Sequence, residues 1–220
     1  NMALFFFVFL CKIFKVIFQR NDFCLGSVDV HLLDFSSFET SDYLDQLTNI
    51  EKERFFSFTN DQRKQEFVAT RILRHELFGF QHIHYDKVGA PYIKNEGFIS
   101  ISHSKSSIGI AISKSFKIGF DIETIDAKID RVKHKFLSLD EIEKLDCDSV
   151  VELTKIWSGK EALYKVSGRK GINFRTEMSL SKLSEENWEG KIINEDHILV
   201  TELKIIELES KIISINTTAC

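Results

Sequence analysis

Proline is almost absent, one in 220 residues, and the ten glycines are scattered, so the chain has the composition of neither a disordered segment nor a collagen-like fibre. Cysteine is sparse as well. Cys11, Cys24, Cys147 and Cys220 form no CxxC pair and have no histidine pair nearby, which argues against a disulfide framework and a structural zinc site and predicts a reducing, cytoplasmic setting. An excess of positive charge is missing too: 29 basic against 33 acidic residues give a net charge of -4, so no global field draws the chain to nucleic acid. Any anion site has to be local. No period of about 20–50 residues recurs, which excludes solenoids and propellers.

The one strongly apolar run, Ala3 to Cys11 (ALFFFVFLC), lacks the basic start and small-residue cleavage site of a secretory leader. Lys12 and Lys15 interrupt it well before the ~20 apolar residues of a membrane span. It is expected to be an added strand or helix on the core or a stretch translated from upstream, so residues 1–26 are set apart as an extension of unknown role and no membrane contact is expected.

The remaining pattern is α+β. Ser27 to Phe35 alternates as a half-buried strand does; Ser41 to Phe80 turns to helical spacing, with Asn60 and Asp61 as the cap between two helices. Gly89-Ala90-Pro91 reads as a turn, and Phe98–Ser102, Ser107–Ser113 and Lys117–Glu123 as three strands of a meander. A capping-box start at Ser138 and a helix over Glu152–Val166 follow, and two alternating runs between Gly190 and Thr217 close the chain. Strand, helices, strands occurs twice. The predicted organisation is two similar halves, residues 27–115 and 116–220.

Four groups of residues could carry chemistry. Asp121 and Glu123, two apart on a strand, share a face while Phe120 and Ile122 point to the core; paired carboxylates of this kind suit a hard cation such as Mg²⁺. Trp157, Glu161 and Lys165, four apart, stack along one helix face. Between Lys155 and Lys170 five cations stand against the single Glu161, a local excess that suggests a phosphate ester. Ser102-His103-Ser104 sits at a strand exit, where hydroxyls and imidazole donate to phosphates. Arg54, Arg63, Lys64, Arg71 and Arg74 read most simply as the solvated side of an amphipathic helix.

In this order the SHS, the GxDxE of Gly119 to Glu123 and the WxxKExxxK of Trp157 to Lys165 resemble the 4'-phosphopantetheinyl transferases of the large, surfactin-synthetase-activating (Sfp-like) type. The resemblance covers about Val28 to Ala219. It implies a pseudo-dimer of two α+β halves holding coenzyme A in the cleft between them. The implied activity is transfer of the 4'-phosphopantetheine arm to a serine of an apo acyl or peptidyl carrier protein, in fatty-acid, polyketide or nonribosomal-peptide synthesis. Asp121, Glu123 and Glu161 would hold Mg²⁺, or Mn²⁺; Glu161 would take the serine proton, and Lys165 would stabilise the departing phosphate. Ser102, His103 and Lys165 would contact the phosphates, and Arg54 and Arg71, with Lys64 in reserve, the 3'-phosphate. The protein would act as a monomer, with acidic carriers steered by a rim from Lys160 to Lys170.

Two departures stand out. Ala90 replaces the lysine common in the GKP turn, so that contact is lost or passes to Lys87 or Lys94, and Phe120 replaces a small aliphatic. Two competing expectations are weaker. A Mg²⁺ nuclease needs its Glu-x-Lys on a strand, whereas Glu161-x-x-x-Lys165 suits a helix, and a non-enzymatic partner-binding module tethered to a membrane by its N-terminus leaves three motifs to coincidence.

Overall fold

A computed structural model describes residues 5–10, 17–193 and 198–219. The chain opens with strands β1 (Phe5–Leu10), β2 (Ile17–Leu25) and β3 (Val28–Asp34). A 3-10 helix (Thr40–Gln46) leads to α1 (Asn49–Phe56) and α2 (Asp61–Phe78). The small ribbon β4 (His84–Tyr85) and β5 (Pro91–Tyr92) precedes β6 (Phe98–Ser104) and β7 (Ser107–Ser113). Next come β8 (Phe120–Thr124), a 3-10 helix (Ala127–Lys135), α3 (Leu139–Lys144) and α4 (Val150–Ser167). Strands β9 (Met178–Lys182), β10 (Asn187–Ile193), β11 (Ile198–Leu208) and β12 (Lys211–Asn216) complete the fold.

Two five-stranded sheets result, ordered β1-β2-β3-β7-β6 and β8-β12-β11-β10-β9. In each half a strand that precedes the long helix, β3 or β8, pairs antiparallel with the last strand, β7 or β12. The apolar N-terminus supplies an added hairpin: β2 pairs with β3 from Gln19–Asp34 to Leu25–Val28, and β1 pairs with β2. Ala3, Cys11, Lys12 and Lys15 of that run, and Cys220, lie outside the described residues. Cys24 and Cys147 are free thiols.

The expected three-strand meander is corrected by the sheet order: β6 and β7 form a hairpin in the first sheet, but β8 opens the second, where Phe120 pairs with Ile215 and Thr124 with Lys211 of β12. Two strands, β9 and β10, also precede the two closing runs read from sequence.

The layers follow from strand alternation. One face of the first sheet buries Leu33, Ile108, Ile110 and Ile112 against Phe67, Val68, Ile72 and Leu73 of α2. The opposite face packs Val28, Val30, Leu32 and Ala111 on Phe120, Ile122, Ile213 and Ile215 of the second sheet. The outer face of the second sheet buries Leu180, Leu203, Ile205 and Ile212 under Leu153, Ile156 and Leu163 of α4. Phe120 is thus fully buried between the sheets, the inward position its alternation predicts. Gly119 is required for that packing, since a Cβ there would strike the Ala162 carbonyl of α4.

Side chains also tie the sheets together. Lys211 of β12 donates to Asp34 at 2.6 Å and to Ser107 Oγ at 3.1 Å. At the facing edges, Ser100 Oγ accepts from Phe120 N at 3.0 Å and Ser102 Oγ accepts from Ile122 N at 3.2 Å, so serine hydroxyls from β6 satisfy the backbone of β8.

Candidate active site

Where β6, β8 and α4 meet, the alternation of β8 turns Asp121 and Glu123 toward the helix and the four-residue spacing of α4 presents Trp157, Glu161 and Lys165 to them. Asp121 is only 4% exposed. Its Oδ1 accepts from Ser102 Oγ at 2.9 Å and from Lys165 Nζ at 2.8 Å, while its Oδ2 is buried without a partner. Lys165 Nζ also donates to Ser102 Oγ and to the Phe120 carbonyl, each at 2.9 Å. Glu123 accepts from Trp157 Nε1 at 2.9 Å, and the indole is fixed against Phe136 and Phe174.

In this partly buried corner Glu123 and Glu161 hold their protons more tightly than a free carboxyl does. Burial, then the charge of Asp121, pushes Glu123 up to about 7, against the opposing Trp157 bond. Glu161 is raised for the same two reasons, with Lys165 pulling the other way. Among the described residues no three carboxylate, imidazole or thiol groups already close around a common point. The donors nonetheless fit a hard divalent cation: they are all oxygen, they repel one another, and the orphaned Oδ2 of Asp121 is a buried acceptor awaiting a positive partner.

Beside this corner a cleft of about 260 Å³ is lined by Arg54, Arg63, Arg71, Ser102, His103 and Lys165, with Glu66 the only carboxylate on it. Asn60 starts α2 by accepting from Arg63 N at 2.9 Å, and the ensuing stripe of Arg63, Glu66, Phe67, Thr70 and Arg71 gives the helix its cleft face. Arg71 Nε donates to Glu51 at 3.1 Å and its guanidinium lies 3.8 Å from the Phe67 ring centroid. Arg54 is exposed and stacks 5.2 Å from the Tyr85 ring centroid. His103 is 46% exposed, 3.5 Å from Glu66. Lys64 is not on the cleft; it faces Asp61 at 3.8 Å and the Phe55 ring. Arg63 and Glu66 are lining residues to which the sequence reading gave no role, although the three- and four-residue spacing toward Arg71 was visible.

Two readings of charged residues are corrected. Arg63 is exposed and Lys64 half-buried, but the other two α2 cations do not lie on a solvated face: Arg71 is 4% exposed and Arg74 is fully buried, the latter donating to Gly79 O, Gln46 O and Glu51. The basic rim does not start at Lys160, which is fully buried and donates to Glu141 at 2.7 Å and to the carbonyls of Phe136, Phe174 and Met178. Lys155 is likewise buried against Glu185 and Arg169 pairs with Glu177, which leaves Lys170 as the exposed cation of that segment. Lys87 and Lys94 are not among the residues that line the cleft.

No helix among the described residues is long and apolar enough to cross a membrane. No curated protein matches the chain. The stretch that opens just before β8 and runs through α4 to the end of β11 contributes Asp121, Glu123, Glu161 and Lys165 and none of the cleft arginines; this stretch, residues 117–210, matches the model of the 4'-phosphopantetheinyl transferase superfamily.

Proposed function

We propose that this protein transfers the 4'-phosphopantetheine arm of coenzyme A to a serine of an apo acyl or peptidyl carrier protein, releasing adenosine 3',5'-bisphosphate. The observation that carries this reading is the convergence of Asp121, Glu123 and Glu161 beside a cation-lined cleft, within the stretch that matches the superfamily. Asp121, Glu123 and Glu161 would hold Mg²⁺, which when bound would offset the charge of the pyrophosphate. Glu161, whose proton affinity burial and the charge of Asp121 raise, takes the proton from the carrier serine. The serine oxygen forms a bond to the phosphorus that bears pantetheine, and the bond from that phosphorus to the bridging oxygen breaks. Lys165 lies beside Asp121 to offset the charge that builds on the departing phosphate. Arg54, Arg71 and His103 orient the phosphates, with Ser102 fixing both Asp121 and Lys165.

Mass spectrometry of an apo acyl carrier protein incubated with the protein, coenzyme A and Mg²⁺ tests the reading. The expected result is a gain of one phosphopantetheine group, abolished by chelation and in Asp121→Ala and Glu161→Ala. Failure to modify any of several carriers by a folded protein that does not bind coenzyme A would refute it.

A further inference from the structure

A second groove of about 350 Å³ adjoins the arginine-lined cleft and shares Gly89, Pro91, Ile101 and Lys165 with it. The second groove has apolar walls from Phe98, Ile118 and Tyr164, and its charged lining is again mostly cationic: Lys117, Lys165, Arg169 and Lys170 against Asp86. Two of those cations are already committed, Lys165 to Asp121 and Arg169 to Glu177. Lys117 is not. It is exposed, and among the described residues its ammonium enters no hydrogen bond or close ion pair, although it lies within electrostatic reach of Asp86 on the same groove; its carbonyl accepts from Asn216 Nδ2 at 3.1 Å.

The ammonium lies over the end of α4. The backbone of Lys117 runs directly into buried Ile118 and the tightly packed Gly119. The side chain then crosses to the end of α4, where Gly168 caps the helix with φ 64° and leaves no room for a Cβ beneath the Lys117 Nζ. The helix end carries partial negative charge, which favours an ammonium there. Gly168 is three residues beyond Lys165, about one helical turn or ~4.5 Å along the axis. Lys165 and Lys117 are thus two cations on the lining of the second groove, with Asp86 as a carboxylate beside them. The turn opposite contributes no cation, since Ala90 occupies it.

We propose that Lys117 is a substrate-binding residue of this second groove and takes a phosphate group of the incoming coenzyme, an inference that rests on the transfer reading above. Its removal loses one charge-assisted contact, which corresponds to about a tenfold weaker Kd.

Isothermal titration of the full chain with coenzyme A and with dephospho-coenzyme A, beside thermal melting of the ligand-free variants, tests this. Lys117→Ala should weaken coenzyme A binding about tenfold, with Lys117→Arg near the parent. Equal weakening for both ligands assigns the contact to the pyrophosphate, and weakening for coenzyme A alone assigns it to the 3'-phosphate. Parent-like coenzyme A binding by Lys117→Ala would overturn the inference while leaving the transfer reading intact, and a lowered melting temperature with unchanged Kd would reduce Lys117 to a cap on α4. If the parent protein binds no coenzyme A, the transfer reading itself fails and the inference falls with it.

Discussion

In the first half Glu51 closes the capping box of α1 on Thr48 and uses the same carboxylate to hold Arg71 and Arg74 of α2; in the second, Glu141 closes the capping box of α3 on Ser138 and holds Lys160 of α4. A short helix thus supplies a buried counter-ion to the long helix in both halves. The outcomes differ because the cations differ. Arg71 gives only its Nε to Glu51, and a guanidinium has further N–H donors that remain available at the cleft. Lys160 has three protons facing four acceptors and no exposure, so nothing of it is left for a ligand. The same device anchors a binding residue in one half and seals a structural one in the other.

The strongest way to break this comparison is to remove the sealed cation. Lys160→Ala leaves Glu141 buried beside unsatisfied carbonyls and should cost about 3–5 kcal/mol in urea unfolding. Its effect on coenzyme A affinity in whatever fraction remains folded should be small. Arg71→Ala should be milder in stability, about 1–2 kcal/mol, since Arg74 still compensates Glu51. Coenzyme A binding should weaken about tenfold, a split between the two readouts opposite to that of Lys160. A parent-like Kd for Arg71→Ala would show that the arginine is as structural as the lysine.

The gentlest test is pH. Glu123 binds its proton more tightly folded, at about 7, than at the ordinary 4.5, so between those values the folded state holds more protons than the unfolded one. Metal-free stability should therefore fall as pH rises from about 4.5 through about 7, and Glu161, shifted in the same direction, adds to the slope. Glu123→Gln should flatten it. Mg²⁺ competes with those protons, so the stabilisation it brings should grow over the same interval. Melting temperatures across this range, with Mg²⁺ and with chelator, measure both.

Much of the site was legible because it rests on local periodicity. Strand alternation put Asp121 and Glu123 on one face, and helical spacing aligned Trp157, Glu161 and Lys165. The cap at Asn60 and the capping box at Ser138 follow from residue type alone. What sequence could not supply was the partner across space. A charge count over Lys155–Lys170 sees five cations but not that Glu141 and Glu185, from distant segments, absorb two of them. The β6–β7–β8 order was misread for the same reason: pairing of β8 with β12 depends on a strand almost at the other end of the chain. Ser102, expected as a phosphate contact, has its hydroxyl engaged by Asp121, Lys165 and Ile122 N, and Arg71 looked like an ordinary surface cation until Glu51 came beneath it.

The serine seam has one further consequence. Ser102 touches the backbone of one sheet from the edge of the other and, with the same oxygen, the carboxylate and ammonium of the site. A slip of one sheet past the other by a single residue would carry that hydroxyl away from Asp121 and Lys165 together, while every strand within each sheet stayed paired. Correct assembly of the two halves is thereby registered at one atom, and the site is complete only when they are in step.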